Sequence, residues 1–244
     1  MVDKFILNLL GMIASKVGIA RDTLSLRAAL KRCKGRGLVV GTVVDVGASD
    51  GRWSLVVREY FPQVFCLLIE AQEGHKNALQ KLKERESRFD YVIAAAGNRN
   101  GAIFFDADDL FGGLASASPV GSHCVSVPMV TVDEEVSRRA LSPPYLLKLD
   151  THGFELPILE GAKNTLAYAS LVVVETYNFK LTPDSLKFHE ICTYMENLGF
   201  SCIDLVEPIH RPGDMAFWQM DLLFIPSSNA TFLSNSYLPQ EASR

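Results

Sequence analysis

The sequence has no C-x-x-C pair, no apolar run long enough to span a bilayer, no excess of positive charge and no internal repeat. Each absence removes a class of protein. Five scattered cysteines (Cys33, Cys66, Cys124, Cys192, Cys202) are odd in number and suggest neither a disulfide framework nor a zinc site. They read as reduced thiols in a cytoplasmic protein. A formal net charge of −4 gives no electrostatic draw toward nucleic acid. The opening stretch FILNLLGMIASKVGIA is apolar for 16 residues but is broken by Asn8, Ser15 and Lys16. A span needs roughly 20 apolar residues, and the chain runs on into a second amphipathic segment where a signal peptide would be cleaved. The G-x-G-x-x-G fingerprint of dinucleotide binders and the Walker lysine are also missing.

What is present is an ordinary globular balance, 48% hydrophobic and 21% charged over 244 residues, enough for one domain with additions. Charge is unevenly spread. Residues 1–37 hold eight Lys/Arg and two acids, leaving −10 on the rest. A basic leader on an acidic body predicts either an intramolecular clasp or contact with an anionic surface. Residues 1–37 are therefore expected to form basic amphipathic helices that dock, dimerise the protein or touch a membrane peripherally. The second of them, within RDTLSLRAALKRCKGRG, has Asp22 or Thr23 as its cap and Gly35 or Gly37 as its stop.

From residue 38 short apolar runs alternate with helix-like segments. GTVVDVG, QVFCLLIE, YVIAAAG, YLLKLD and LVVVET read as strands. Arg52 to Tyr60, Glu73 to Ser87, Glu155 to Leu166 and Pro183 to Leu198 read as helices. Near-continuous apolar strands between helices predict an α/β fold, a mostly parallel sheet covered on both faces. FSCIDLV and QMDLLFIP have no helix between them and predict an antiparallel pair at the end. The span Gly101 to Val132 is less regular, strand-like around the small-residue loop FGGLASASPVGSH. The expected organisation is a leader (1–37), a domain (38–226) and a tail (227–244).

In an open parallel sheet ligands bind beyond the carboxyl ends of the strands. VVDVGASDG places Asp45, Gly47, Ala48, Ser49, Asp50 and Gly51 just there, and LLIEA places Glu70 and Ala71 at the end of the next strand. Ala95 lies near the end of the third, YVIAAAG. Two carboxylates in the loop suit a cationic ligand better than a pyrophosphate, and an acid at position 70 suits a ribose diol. A cofactor with a ribose, an ammonium and little phosphate fits, which points to S-adenosyl-L-methionine. The rival readings are an NAD-dependent oxidoreductase and a non-catalytic S-adenosylmethionine-binding protein.

VVDVGASDGRWS, LLIEAQ, AAAGNRNGAIFF and LLKLDTHGFELPILEGA together resemble the FkbM-type S-adenosylmethionine-dependent methyltransferases, over about Leu26 to Pro226. The resemblance implies a Rossmann-like class I methyltransferase fold with a seven-stranded sheet and an antiparallel last strand. It also implies methyl transfer, commonly to a hydroxyl of a sugar, glycan, lipid or polyketide-type acceptor. One departure stands out: the family often carries a second acid where this chain has His152.

Such a transfer needs the acceptor hydroxyl deprotonated and held in line. Asp150, His152 and Glu155, at the end of the fourth strand, and Glu175, ending the fifth, form the candidate catalytic cluster. Lys148 shares the strand face of Asp150 and is expected to pair with a carboxylate. Asp150, Glu175 and the histidine would also suit a divalent cation, although nothing in their spacing demands one.

Overall fold

A computed structural model describes residues 23–110, 112–119, 121 and 123–236. The first leader segment, the cap candidate Asp22 and the end of the tail lie outside the described residues. Among those described, no helix is long and apolar enough to cross a membrane.

The chain enters through helix α1 (Leu26–Gly35), capped by Ser25, whose hydroxyl accepts from the Ala28 N–H at 3.2 Å. Ser25 takes the place expected of Asp22 or Thr23. Then come β1 (Thr42–Val46), α2 (Arg52–Tyr60), β2 (Phe65–Glu70), a 3-10 turn leading into α3 (Lys76–Arg85), and β3 (Phe89–Ile93). Next are β4 (Ala95–Ala96), β5 (Gly101–Asp106), β6 (Leu114–Ser116) and β7 (Cys124–Val130). α4 (Val132–Arg138), β8 (Tyr145–Leu149), α5 (Glu155–Glu160) and α6 (Lys163–Leu166) follow. β9 (Ala169–Tyr177), α7 (Phe188–Asn197), β10 (Phe200–His210) and β11 (Phe217–Pro226) complete the fold.

Seven strands form one sheet in the order β10-β11-β9-β8-β1-β2-β3. The β1–β2, β2–β3, β1–β8 and β8–β9 pairs are parallel. β11 is antiparallel to both β9 and β10, so the last strand of the sequence slots between two earlier ones. The central strands β1 and β8 are buried along their whole length, as runs without alternation require. Two apolar clusters cover the sheet faces, one around Leu147, Val172 and Met195 and the other around Leu30, Leu68 and Leu223. The predicted sheet and its late antiparallel strand are present.

Three features depart from expectation, the first being that the stretch expected as one helix from Glu155 to Leu166 is broken at Gly161 into α5 and α6. The irregular span from residue 95 builds a separate four-stranded sheet, β4-β7-β5-β6, with its own small core of Ile103, Phe105, Ala115 and Met129. The last helix begins at Phe188 and not at Pro183. Glu190 accepts from the Lys187 N–H at 2.8 Å and opens the helix there, while Thr182 and Ser185 close a separate hydrogen-bonded turn. In the tail, Ala230–Leu233 makes a 3-10 turn.

Candidate active site

A cavity of about 170 Å³ lies beyond the carboxyl ends of β1, β2 and β8, and the small sheet roofs it. Of the predicted loop residues, Gly47 and Ser49 line it, together with Glu70, Ala71 and Ala95. Asp150 and His152 form part of the wall, and so does Phe154.

The loop after β1 is held from behind. Gly47 has φ of 74°, and a Cβ there would stand 1.9 Å from the Asp150 carbonyl oxygen. Glycine is needed because two strand ends meet, as well as for any ligand. Gly51, with φ of 80°, would press a Cβ to 2.4 Å from Leu82, so it serves packing between α2 and α3. Ala48 is buried in the core on the far face. Asp50 is turned outward into an ion pair with Arg52, which holds its carboxyl below the ordinary range.

Asp45 does not reach the cavity. It is fully buried, accepting from the Ser54 hydroxyl at 2.7 Å and standing 3.3 Å from the Lys148 ammonium. Burial pushes its pKa up, with Lys148 and Ser54 pulling the other way. Lys148 also lies 2.9 Å from Asp150 and donates to the Gly47 carbonyl at 3.1 Å. Burial alone would lower the lysine's pKa, but Asp45 and Asp150 outweigh it and keep the ammonium charged. This single cation ties β1, β8 and the loop together. Burial pushes Asp150 upward too, yet Lys148 wins and the carboxyl is held below its ordinary value.

Glu70 is nearly buried at the cavity wall. One of its oxygens accepts from the Ser49 N–H at 2.7 Å, the other from the Gln72 N–H at 2.8 Å. Each oxygen keeps a second lone pair for a ligand hydroxyl. Gln72 and His75 extend this wall, and sequence reasoning missed both. The Gln72 amide donates to the Asp109 and Leu110 carbonyls at 2.9 and 3.0 Å, and the His75 Nε2 contacts the Leu110 carbonyl at 2.8 Å. The segment carrying Leu110 is thereby fastened over the cavity.

The catalytic candidates divide. His152 occupies a turn with φ of 53°, a conformation that few non-glycine residues adopt. Its Nδ1 stands 2.7 Å from the Tyr177 hydroxyl and 3.3 Å from the Glu175 carboxylate. Tyr177 in turn donates to Glu175, and the Gln219 amide donates to the other Glu175 oxygen. Burial raises the Tyr177 pKa and Glu175 raises it further, so the phenol keeps its proton. The phenol therefore accepts from Nδ1–H, which fixes the tautomer and makes Nε2 the basic nitrogen. Glu175 lies behind this relay and does not line the cavity; burial raises its pKa. Glu155 also stands back, 4% exposed, accepting from the Gly153 N–H at 2.8 Å and the Thr151 hydroxyl at 3.3 Å. It braces the strained turn that presents His152. Asp221, opposite Glu175 on β11, is a further acid that the sequence reading passed over. Burial and the charges of Glu175 and Asp150 push it up to about 8.

The Methyltransferase FkbM domain matches residues 45–202. Among solved structures, methyltransferase FkbM from Methylobacillus flagellatus KT superposes with a TM-score of 0.50 at 16% identity, over 76% of this chain and 45% of that one. The chain thus spans less than half the length of that protein. The likeness shows the fold, a Rossmann-like class I methyltransferase fold. The Streptococcus pneumoniae protein Sp1610, in complex with S-adenosyl-L-methionine, superposes with a TM-score of 0.46 at 13% identity, over 80% of this chain and 72% of that one. No curated protein matches the sequence.

Proposed function

The chain belongs to the FkbM methyltransferase family, and from that premise we propose that it transfers a methyl group from S-adenosyl-L-methionine to an acceptor hydroxyl, with His152 as the general base. The acceptor classes in view are a sugar, glycan, lipid or polyketide-type molecule. The observation that carries the reading is the His152–Tyr177–Glu175 relay at the wall of a cavity whose other end holds Glu70.

The donor set fits the cofactor. Glu70 has lone pairs for a ribose diol, and Ile69, Ala95 and Phe105 supply apolar wall for an adenine. The ionised Asp150 offers a carboxylate to an ammonium or sulfonium. When bound, the cofactor supplies an electrophilic methyl group. The chain's own part is orientation and proton transfer. Asp150 and Glu70 fix the two ends, and the roof of Phe105, Leu110 and Ala115 excludes water. His152 Nε2 takes the hydroxyl proton, and Tyr177 with Glu175 steadies the imidazolium that forms.

A second reading has one observation behind it. Ligating atoms of Asp150, His152 and Glu175 all lie within 4.8 Å of one another, close enough to share a divalent cation. Activity that survives exhaustive chelation would eliminate that version and leave the metal-free relay.

The test is calorimetric titration with S-adenosylmethionine, S-adenosylhomocysteine and NAD. The expected result is micromolar binding of the first two and a loss of at least about tenfold in Glu70→Ala, the size of one or two charge-assisted hydrogen bonds. Binding of NAD in their place would overturn the reading.

A further inference from the structure

A second, larger opening of about 640 Å³ abuts the first. Ala115 and Phe154 stand in both walls, and Gly153, which follows the proposed base, lines the new one. It lies between the small sheet, the start of α5 and the loop after β9. The body of the lining is apolar, with Ile103, Met129, Leu156 and Leu181 among it, and small hydroxyls such as Ser116 and Thr182 break it up.

Arg99, an exposed residue, is the cation in that wall, and the exposed Asp184 is its acid. Among the described arginines it alone makes no ion pair or hydrogen bond with a described residue. Its sequence neighbours are both tied down. The Asn98 amide donates to Glu160 at 3.0 Å, and Asn100 accepts from the Thr131 N–H at 3.1 Å while its amide donates to Glu134. The side chains on each side of Arg99 are tied down, and its own exposed guanidinium stands at the wall of the opening.

A guanidinium without an internal partner, on a fixed backbone beside an apolar cavity, matches a carboxylate or phosphate. A neutral sugar would leave it unused, and an uncharged lipid would not need it. We propose that this second opening receives the acceptor. The acceptor is then an amphipathic molecule with an apolar body along Ile103 and Leu181, a hydroxyl at His152 and an anionic group held by Arg99. The inference rests on the methyltransferase reading and narrows its acceptor to anionic amphiphiles.

The experiment is titration of the full chain, saturated with S-adenosylhomocysteine, with 3-hydroxydecanoate, its methyl ester and decyl phosphate. At least one of the two anions is expected to bind about tenfold or more tighter than the neutral ester. Whichever anion binds better identifies a carboxylate or a phosphate as the preferred group. Arg99→Ala should abolish that preference, Arg99→Lys should keep part of it, and neither should change affinity for S-adenosylhomocysteine. Three results would overturn the proposal: equal binding of ester and anions, no anion binding, or a preference that survives in Arg99→Ala. Failure to bind S-adenosylhomocysteine at all would instead strike the parent reading.

Discussion

His152, the proposed base, is presented by a strained and braced turn. Its φ of 53° is tolerated because Glu155 accepts from the next N–H, and its tautomer is set by Tyr177. His152→Ala is expected to lower turnover by about 10²–10⁴-fold, the usual worth of a positioned base. Affinity for S-adenosylhomocysteine should be unchanged, since Glu70 and the β1 loop remain. Single-turnover rates beside calorimetric affinities would separate the two, and unaltered turnover would remove His152 as base. Asp221 makes a stability claim at the same scale. Its carboxyl is raised from 3.8 to about 8 by burial and by facing Glu175 and Asp150, with Glu207 adding to this and Lys148 opposing it. The folded chain therefore holds a proton that the unfolded chain has released. The sign follows: the contribution of Asp221 to stability is fully present below about pH 4, falls as pH rises toward 8 and is lost above that. The decline from this one group is at most about 1.4 kcal/mol per pH unit. Asp221→Asn should flatten it, as urea midpoints at several pH values would show; a parallel decline in the variant would refute the assignment.

Elements differ in how plainly the sequence announces them. The four strands β1, β2, β8 and β9 are apolar runs with an acid at or beside their ends, and they fall where those runs do. The small sheet was harder to read, because β4 has two residues, β6 three, and the loop between β5 and β7 is built of small residues without a period. Rim acids were legible as strand ends, but their exposure was not. Whether Asp45 sees the cavity depends on Ser54 and Lys148, which come from α2 and β8, and nothing local to VVDVG records that. The same limit hid Gln219 and Asp221, which join the site only once β11 enters beside β9, and Tyr177, which meets His152 from the end of β9. Gly47 offers an element-level test of how β1 meets β8. An added Cβ would overlap the Asp150 carbonyl, so Gly47→Ala must part the two strand ends or distort the loop. A loss of about 1–3 kcal/mol is expected from such overpacking. Asp150 and Ser49 would shift with it, so affinity for S-adenosylhomocysteine should fall together with stability. A variant that loses neither would mean the loop adapts freely.

Across the whole molecule, the basic leader and the acidic body meet where they are described, and they meet as a clasp. Arg32 makes two hydrogen bonds to Asp204 on β10, at 2.6 and 2.9 Å, Arg36 lies 3.9 Å from the same carboxylate, and Arg27 pairs with Glu59 on α2. Beneath these pairs Leu26, Ala29, Leu30 and Cys33 are buried with Val173, Val206 and Leu223. The helix thus closes one face of the sheet near its β10 edge, and the Glu207 N–H on β10 donates to the Leu24 carbonyl at 2.7 Å. Which force holds it can be decided by magnitude. The ion pairs are partly exposed, so Arg32→Ala should cost about 1 kcal/mol and less in high salt. Leu30 is fully buried, and Leu30→Ala should cost about 2–5 kcal/mol with no salt dependence. If the packing dominates, α1 is an integral part of the fold, and removing residues 1–37 would destabilise the methyltransferase domain along with the leader. If Arg32→Ala proves the costlier change in a urea titration, the leader is held by charge, and high salt should release it from the sheet.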